Sequence, residues 1–118
     1  MPEAGTFTLE SHFENKSPLV RKIYNTLLSE LRGFGKIVEE PKKTSIHLVN
    51  RTTFAGVVTQ KSALILNIKS STPIGDLRFS RTEKVSAKRY HQELKLTDPA
   101  QVDEQLVGWL KQAYDLSS

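Results

Sequence analysis

His47, Lys69, Arg78, Arg89, His91 and Glu93 are the side chains of this sequence whose types and spacing could act on a charged ligand. His91 and Glu93 stand two residues apart, so on a strand they would share one face, and an imidazole beside a carboxylate is an acid–base pair. Arg78 and Arg89 carry planar forks that hold a phosphate or carboxylate through two parallel hydrogen bonds. Both lie in runs that mix cations with aromatic rings: Arg78-Phe79 close to Arg81, and Lys88-Arg89-Tyr90-His91. Such runs suit phosphates flanked by stacked bases, and they equally suit core or rim aromatics beside solvated cations.

Other chemistries find less support. The histidines are His12, His47 and His91, with no HxH or HExxH spacing. His47 and His91 could share a sheet face with Glu93, but half-exposed strand histidines are commoner than ligands, and no metal or cofactor is expected. Cysteine is absent, which excludes thiol catalysis, disulfides and cysteine-based zinc sites and fits a reducing, cytoplasmic setting. No GxSxG motif occurs, and Gly33-Phe34-Gly35 is too short for a phosphate-cradling loop.

Charge is unevenly spread. Residues 1–41 carry −1, residues 42–95 carry +8 and residues 96–118 carry −3. A basic middle between near-neutral and acidic ends points to an anionic partner, or to a solvated lysine-rich sheet face. With 118 residues and 37% apolar side chains the chain is expected to form one domain, residues 13–118, behind a flexible arm, residues 1–12. No run of about 20 apolar residues suggests a membrane span, and no secretory signal is visible.

The elements that must position these side chains follow from period and caps. Ser17-Pro18 opens a helix whose stripe is Leu19, Val20, Ile23, Tyr24, Leu27, Leu28 and Leu31, with Gly33 and Gly35 as the stop. Four or five strand-like runs follow, the clearest being Thr44–Val49, Phe54–Gln60, Ala63–Lys69 and Arg89–Leu96. Ile37-Val38 and Glu83–Ser86 read as short strand pieces, and Asp76–Ser80 as a short turn or 3₁₀ piece. Asp98-Pro99 opens a second helix with Val102, Leu106, Trp109, Leu110, Ala113 and Tyr114 inward. The expected fold is α+β: helix, antiparallel sheet of four to five strands, helix, with both helices on one face. Leu94 and Leu96 then point inward, leaving His47, Asn67, Lys69, His91 and Glu93 on the other face.

Several short segments recur in one order: Phe13–Pro18, Lys43–Leu48, Phe54-Ala55, Leu64–Ile68, Arg78-Phe79, Tyr90–Leu94 and Val107–Tyr114. In that order, from about Phe13 to Tyr114, the chain resembles the domain of unknown function 5655 family, a small α/β domain. Relatives read RFK where this chain has Arg78-Phe79-Ser80, and HHLE where it has Tyr90-His91-Gln92-Glu93. The resemblance implies a fold rather than a function, and some members' fusion to nuclease-like domains implies a nucleic-acid context.

Three functions are consistent with these residues. The leading one is a non-enzymatic binding module for an anionic partner, such as nucleic acid, through the basic sheet face and the 78–91 region, with Arg78, Arg89, His91, Glu93, His47 and Lys69 in contact. The second is a small-molecule accessory enzyme using His91 and Glu93, with Arg78 as anion clamp. The third is a protein-interaction domain, including a homodimer through the free sheet face.

Overall fold

A computed structural model describes residues 8–117. Helix α1 (Pro18–Leu31) precedes strands β1 (Val38–Pro41), β2 (Ile46–Val49), β3 (Thr53–Thr59), β4 (Leu64–Ser70), β5 (Phe79–Ser86) and β6 (Arg89–Leu96), and helix α2 (Glu104–Leu116) follows. The sheet is antiparallel throughout and has six strands rather than four or five. The additional strands are the edges. β1 is four residues long, too short for alternation to register, and β5 is almost wholly exposed, so it lacks an apolar period. No helix among the described residues is long and apolar enough to cross a membrane.

Strand order is β1-β2-β3-β4-β6-β5. The first four strands form a meander. The chain then leaves β4 through residues 71–78, passes over to the far edge as β5, and returns as β6 between β5 and β4. That crossover sets this sheet apart from a simple meander.

Alternation builds the core. Leu64, Leu66 and Ile68 of β4 are fully buried, and their respective register partners Leu96, Leu94 and Ala55 are buried with them. Buried residues of both helices, from Ile23, Leu27 and Leu31 to Leu106, Leu110 and Ala113, join them in one cluster. Each period of the helical stripes returns an apolar side chain to this cluster. The register shifts between Leu48 and Val49, so Ala55 pairs with Leu48 while Thr53 pairs with Val49. Phe54 is the extra residue of this bulge, which lets two successive residues, Phe54 and Ala55, both be buried.

Two ends differ from the sequence expectation. Residues 8–12, assigned to the arm, are partly folded: Glu10–His12 is a 3₁₀ turn and His12 is buried. The His12 Nε2 lies 2.7 Å from the Lys42 carbonyl, and the Thr59 hydroxyl donates to the His12 carbonyl. The remainder of the arm, residues 1–7, lies outside the described residues. At the other end, Asp98 does cap a turn through a capping box with Gln101, but that turn is 3₁₀ and stops at Gln101. α2 begins afresh at Glu104, with Asp103 as its N-cap accepting from the Leu106 amide. Gly35 adopts a φ of 146°, and a Cβ there would meet the Tyr114 hydroxyl at 2.7 Å, so glycine is required where the chain passes α2.

Edge strand β1 is tied to α1 by charge. The Tyr24 hydroxyl donates to Glu39 Oε1 at 2.6 Å, and Arg32 donates to Oε2 at 2.8 Å. Burial first, then the hydrogen bond to Glu39, pushes the Tyr24 phenol above its ordinary 10.0. The folded state thus holds this proton more tightly than the unfolded chain. The contribution is complete below about pH 10 and declines as pH rises beyond it. Tyr24→Phe is expected to make the alkaline loss of stability shallower in denaturant unfolding measured from ~pH 8 to ~pH 11. At neutral pH it should cost about 1 kcal/mol for the lost hydrogen bond. An unchanged alkaline slope would contradict the role given to this phenol.

Candidate functional site

The sheet face away from the helices is built row by row. One row runs across all six strands by register: Glu40, His47, Gly56, Asn67, Glu93 and Arg81. A neighbouring row pairs Lys69 with His91 and His91 with Glu83. On the opposite side of the first, Val58 pairs with Ile65, and Ile65 with Lys95. Period two makes this arrangement unavoidable once Leu64, Leu66, Ile68, Leu94 and Leu96 are committed to the core.

The middle of this face is concave. A depression of about 480 Å³ is lined by His47, Gly56, Asn67, Lys69 and His91, together with Thr44, Ser45, Thr53, Ala55 and Val58. Gly56 makes the depression. A Cβ built there would meet only the Asn67 Cβ, at 4.0 Å, so any larger side chain would project into the space. His47, Asn67, Lys69 and His91 are each half-buried. Among the described residues none of the four has a side-chain hydrogen bond or ion pair to another protein group. Half-buried polar groups ordinarily find partners in protein or solvent, so this set is available to a ligand.

The electrostatics point the same way. Burial first, and then the Arg89 guanidinium, hold the Lys69 ammonium below its ordinary 10.5. A positive group crowded by a second cation favours an arriving anion. Arg89, on the strand of His91 and two residues before it, is exposed at the margin. Glu93 is half-buried in the central row, beside Asn67. Arg81 is occupied on the outer strand, 3.5 Å from Glu83. Among the described residues no three His, Asp or Glu side chains are grouped as for a metal ion.

Five of the six sequence candidates therefore lie on one face: His47, Lys69 and His91 in the depression, Glu93 and Arg89 around it. Arg78 does not join them. Its guanidinium makes two hydrogen bonds to the Asp103 carboxylate, at 3.0 and 3.1 Å, and one to the Gln101 carbonyl at 2.7 Å. It also lies 5.7 Å from the centre of the Trp109 ring. The crossover explains this placement. Residues 71–78 are pinned to the helix side by buried Gln92, whose Oε1 accepts from the Ile74 amide and whose Nε2 donates to the Ser70 hydroxyl. Arg78 completes that attachment at the start of α2. The aromatic half of the basic–aromatic runs goes the same way. Phe79 packs against Trp109 with ring centres 4.9 Å apart, and Tyr90 lies in register with Ser70, in the row set of Gln92, Leu94 and Leu96.

Sequence reasoning passed over Gly56 and Asn67 as site residues. The signal for Gly56 was present, as a glycine inside a β-branched strand marks a close backbone approach. Asn67 was placed on the correct face, but only its register with Gly56 gives it a role.

The family model described as Domain of unknown function (DUF5655) matches residues 9–117. No curated protein and no solved structure matches the chain.

Arg78 is expected to act in stability. The Leu106 amide first, then Arg78, holds the Asp103 carboxyl below its ordinary 3.8, and both partners are partly exposed. Arg78→Ala should therefore lower stability by only about 1–2 kcal/mol, the sum of a half-exposed ion pair and a cation–π contact. A double-mutant cycle with Asp103→Asn should show coupling between the two. Loss of phosphate binding in Arg78→Ala with an unchanged melting temperature would reject this assignment.

Proposed function

The chain belongs to the DUF5655 family, and from that premise we propose that it is a binding module for a small anionic ligand, taken on the open sheet face at Lys69 and His91. The observation that carries this reading is the depression itself. Four half-buried polar side chains line it together with Gly56, which has none, and among the described residues none of the four is engaged by the protein. Lys69 and His91 are register partners on adjacent strands, so their side chains rise side by side. Together they can offer an ammonium and an imidazole N–H to one oxyanion, with Asn67 supplying a neutral donor. The hydroxyls of Ser45 and Thr53, which line the same depression, are further donors.

Two features favour a small ligand over a nucleic-acid strand. Sheets that bind single strands stack bases on exposed aromatic rings. The described rows of this face hold no Phe, Tyr or Trp. The carboxylates of Glu83 and Glu93 also interrupt any continuous cationic track. The accessory-enzyme reading loses its anion clamp, because the donors of Arg78 are committed to Asp103 and Gln101.

Calorimetric titration with inorganic phosphate at ~50 mM salt should give saturable binding that weakens as salt is raised. Lys69→Gln and His91→Gln should each weaken it about 10-fold, the scale of one charge-assisted hydrogen bond, without moving the melting temperature. No phosphate binding by the wild-type protein, or equal binding by the Lys69→Gln, His91→Gln double variant, would reject the proposal.

A further inference from the structure

The depression has a length as well as a charge. His47, Gly56 and Asn67 lie in one row, and Lys69 with His91 in the next row on the same face. Successive same-face rows are two residues apart, about 7 Å along the strands. Lys69 is also one strand across from Gly56, so for a flat ring resting on the exposed backbone of Gly56 the Lys69 backbone is about 8 Å from the ring centre, with His91 one strand further across. A carboxylate or phosphate bonded directly to the ring falls short of that distance. A phosphate joined to the ring through a sugar reaches it.

The neighbours of Gly56 select the kind of ring. On one side stands the His47 imidazole and on the other the Asn67 amide, which together present donors and acceptors at the ring's edges. A hydrocarbon ring would cover these groups without pairing them, which costs free energy; a heteroaromatic base can pair with them. Glu93 stands beside Asn67 on the side away from Gly56, two residues from His91, where its carboxylate can accept from a sugar hydroxyl. The same carboxylate repels a second phosphate. A volume of about 480 Å³ lies within the range of small-molecule sites.

We propose that the open face binds a nucleoside monophosphate, with the base seated on the Gly56 backbone between His47 and Asn67 and the phosphate at Lys69 and His91. This rests on the reading of the face as an anion site. It adds a specificity-determining residue, Gly56, whose missing side chain is the seat. It also accounts for a glycine inside a buried-sheet strand, where it weakens the strand and must serve another purpose.

The test is calorimetric titration of the full chain with inorganic phosphate, ribose 5-phosphate, the four common ribonucleoside 5′-monophosphates and a four-nucleotide oligoribonucleotide. The best monophosphate should bind at least ~10-fold tighter than ribose 5-phosphate, the scale of one base contact. Gly56→Val should erase that gain and leave ribose 5-phosphate unchanged. Asn67→Ala should reduce it in the same way and serves if Gly56→Val does not fold. Equal affinity for ribose 5-phosphate and every monophosphate would overturn the base seat while the anion reading stands. A protein that binds none of the phosphates overturns both. Binding of the oligonucleotide without binding of any monophosphate would assign the face to a strand and overturn the proposal.

Discussion

The burial of Leu64, Leu66 and Ile68 of β4 beneath both helices is the contact on which the rest of this structure depends. β4 is central, paired on one side with β3 and on the other with β6. Each of these side chains is fully buried, and removing one such leucine from a core typically costs ~2–5 kcal/mol. That energy sets the facing of the strand, because a slip of one residue would expose all three at once. Asn67 and Lys69 are then turned away from the core without any interaction of their own to put them there. The neighbouring strands transmit the constraint: Val57 across from Leu66 fixes Gly56, and Leu94 across from Leu66 fixes His91 and Glu93. The site is the reverse side of the core.

Two irregularities convert that face from a flat polar surface into a depression with a cationic end. The bulge at Phe54 bends β3 where it pairs with β2, and Gly56 follows it, giving a low centre between His47 and Asn67. The crossover of residues 71–78 keeps its attachments on the helix side, through Gln92, Arg78 and Asp103. The helix side thereby takes one arginine and two aromatic rings, Phe79 and Trp109, out of contention for the open face. Around the depression that face is cationic at Lys69 and Arg89, polar at His47, Asn67 and His91, and apolar at Val58 and Ile65, with Glu93, Glu83, Glu40, Arg81 and Lys95 further out.

Much of this was legible in the residues. Period two in Ala63–Lys69 and Arg89–Leu96 already separates Leu66 and Leu94 from Lys69 and His91, because alternation depends on local backbone geometry. The opening of α1 was equally legible: Ser17 accepts from the Leu19 amide and Pro18 follows it. The misreadings share a cause, which is reliance on contacts distant in sequence. Arg78 is twenty-five residues from Asp103, and nothing near it announces the ion pair. β5 has no apolar period because it is an edge strand, and edges are kept charged to discourage further pairing. The start of α2 moved from Pro99 to Glu104 because Asp98 and Asp103 are both good caps, and the backbone at Val102 breaks from helical geometry between them. Gly56 could be noticed but not interpreted until its register partners were known.

The central claim is that the open face is where this chain meets an anion. Heteronuclear NMR of the isotope-labelled chain during titration with inorganic phosphate tests it most directly, because every amide reports at once. Saturable shifts are expected, confined to residues around the depression and strongest at Gly56, Asn67, Lys69 and His91, with the amides of Arg78, Gln101 and Asp103 unmoved. Shifts centred on Arg78 and the start of α2, or none at all, would contradict it.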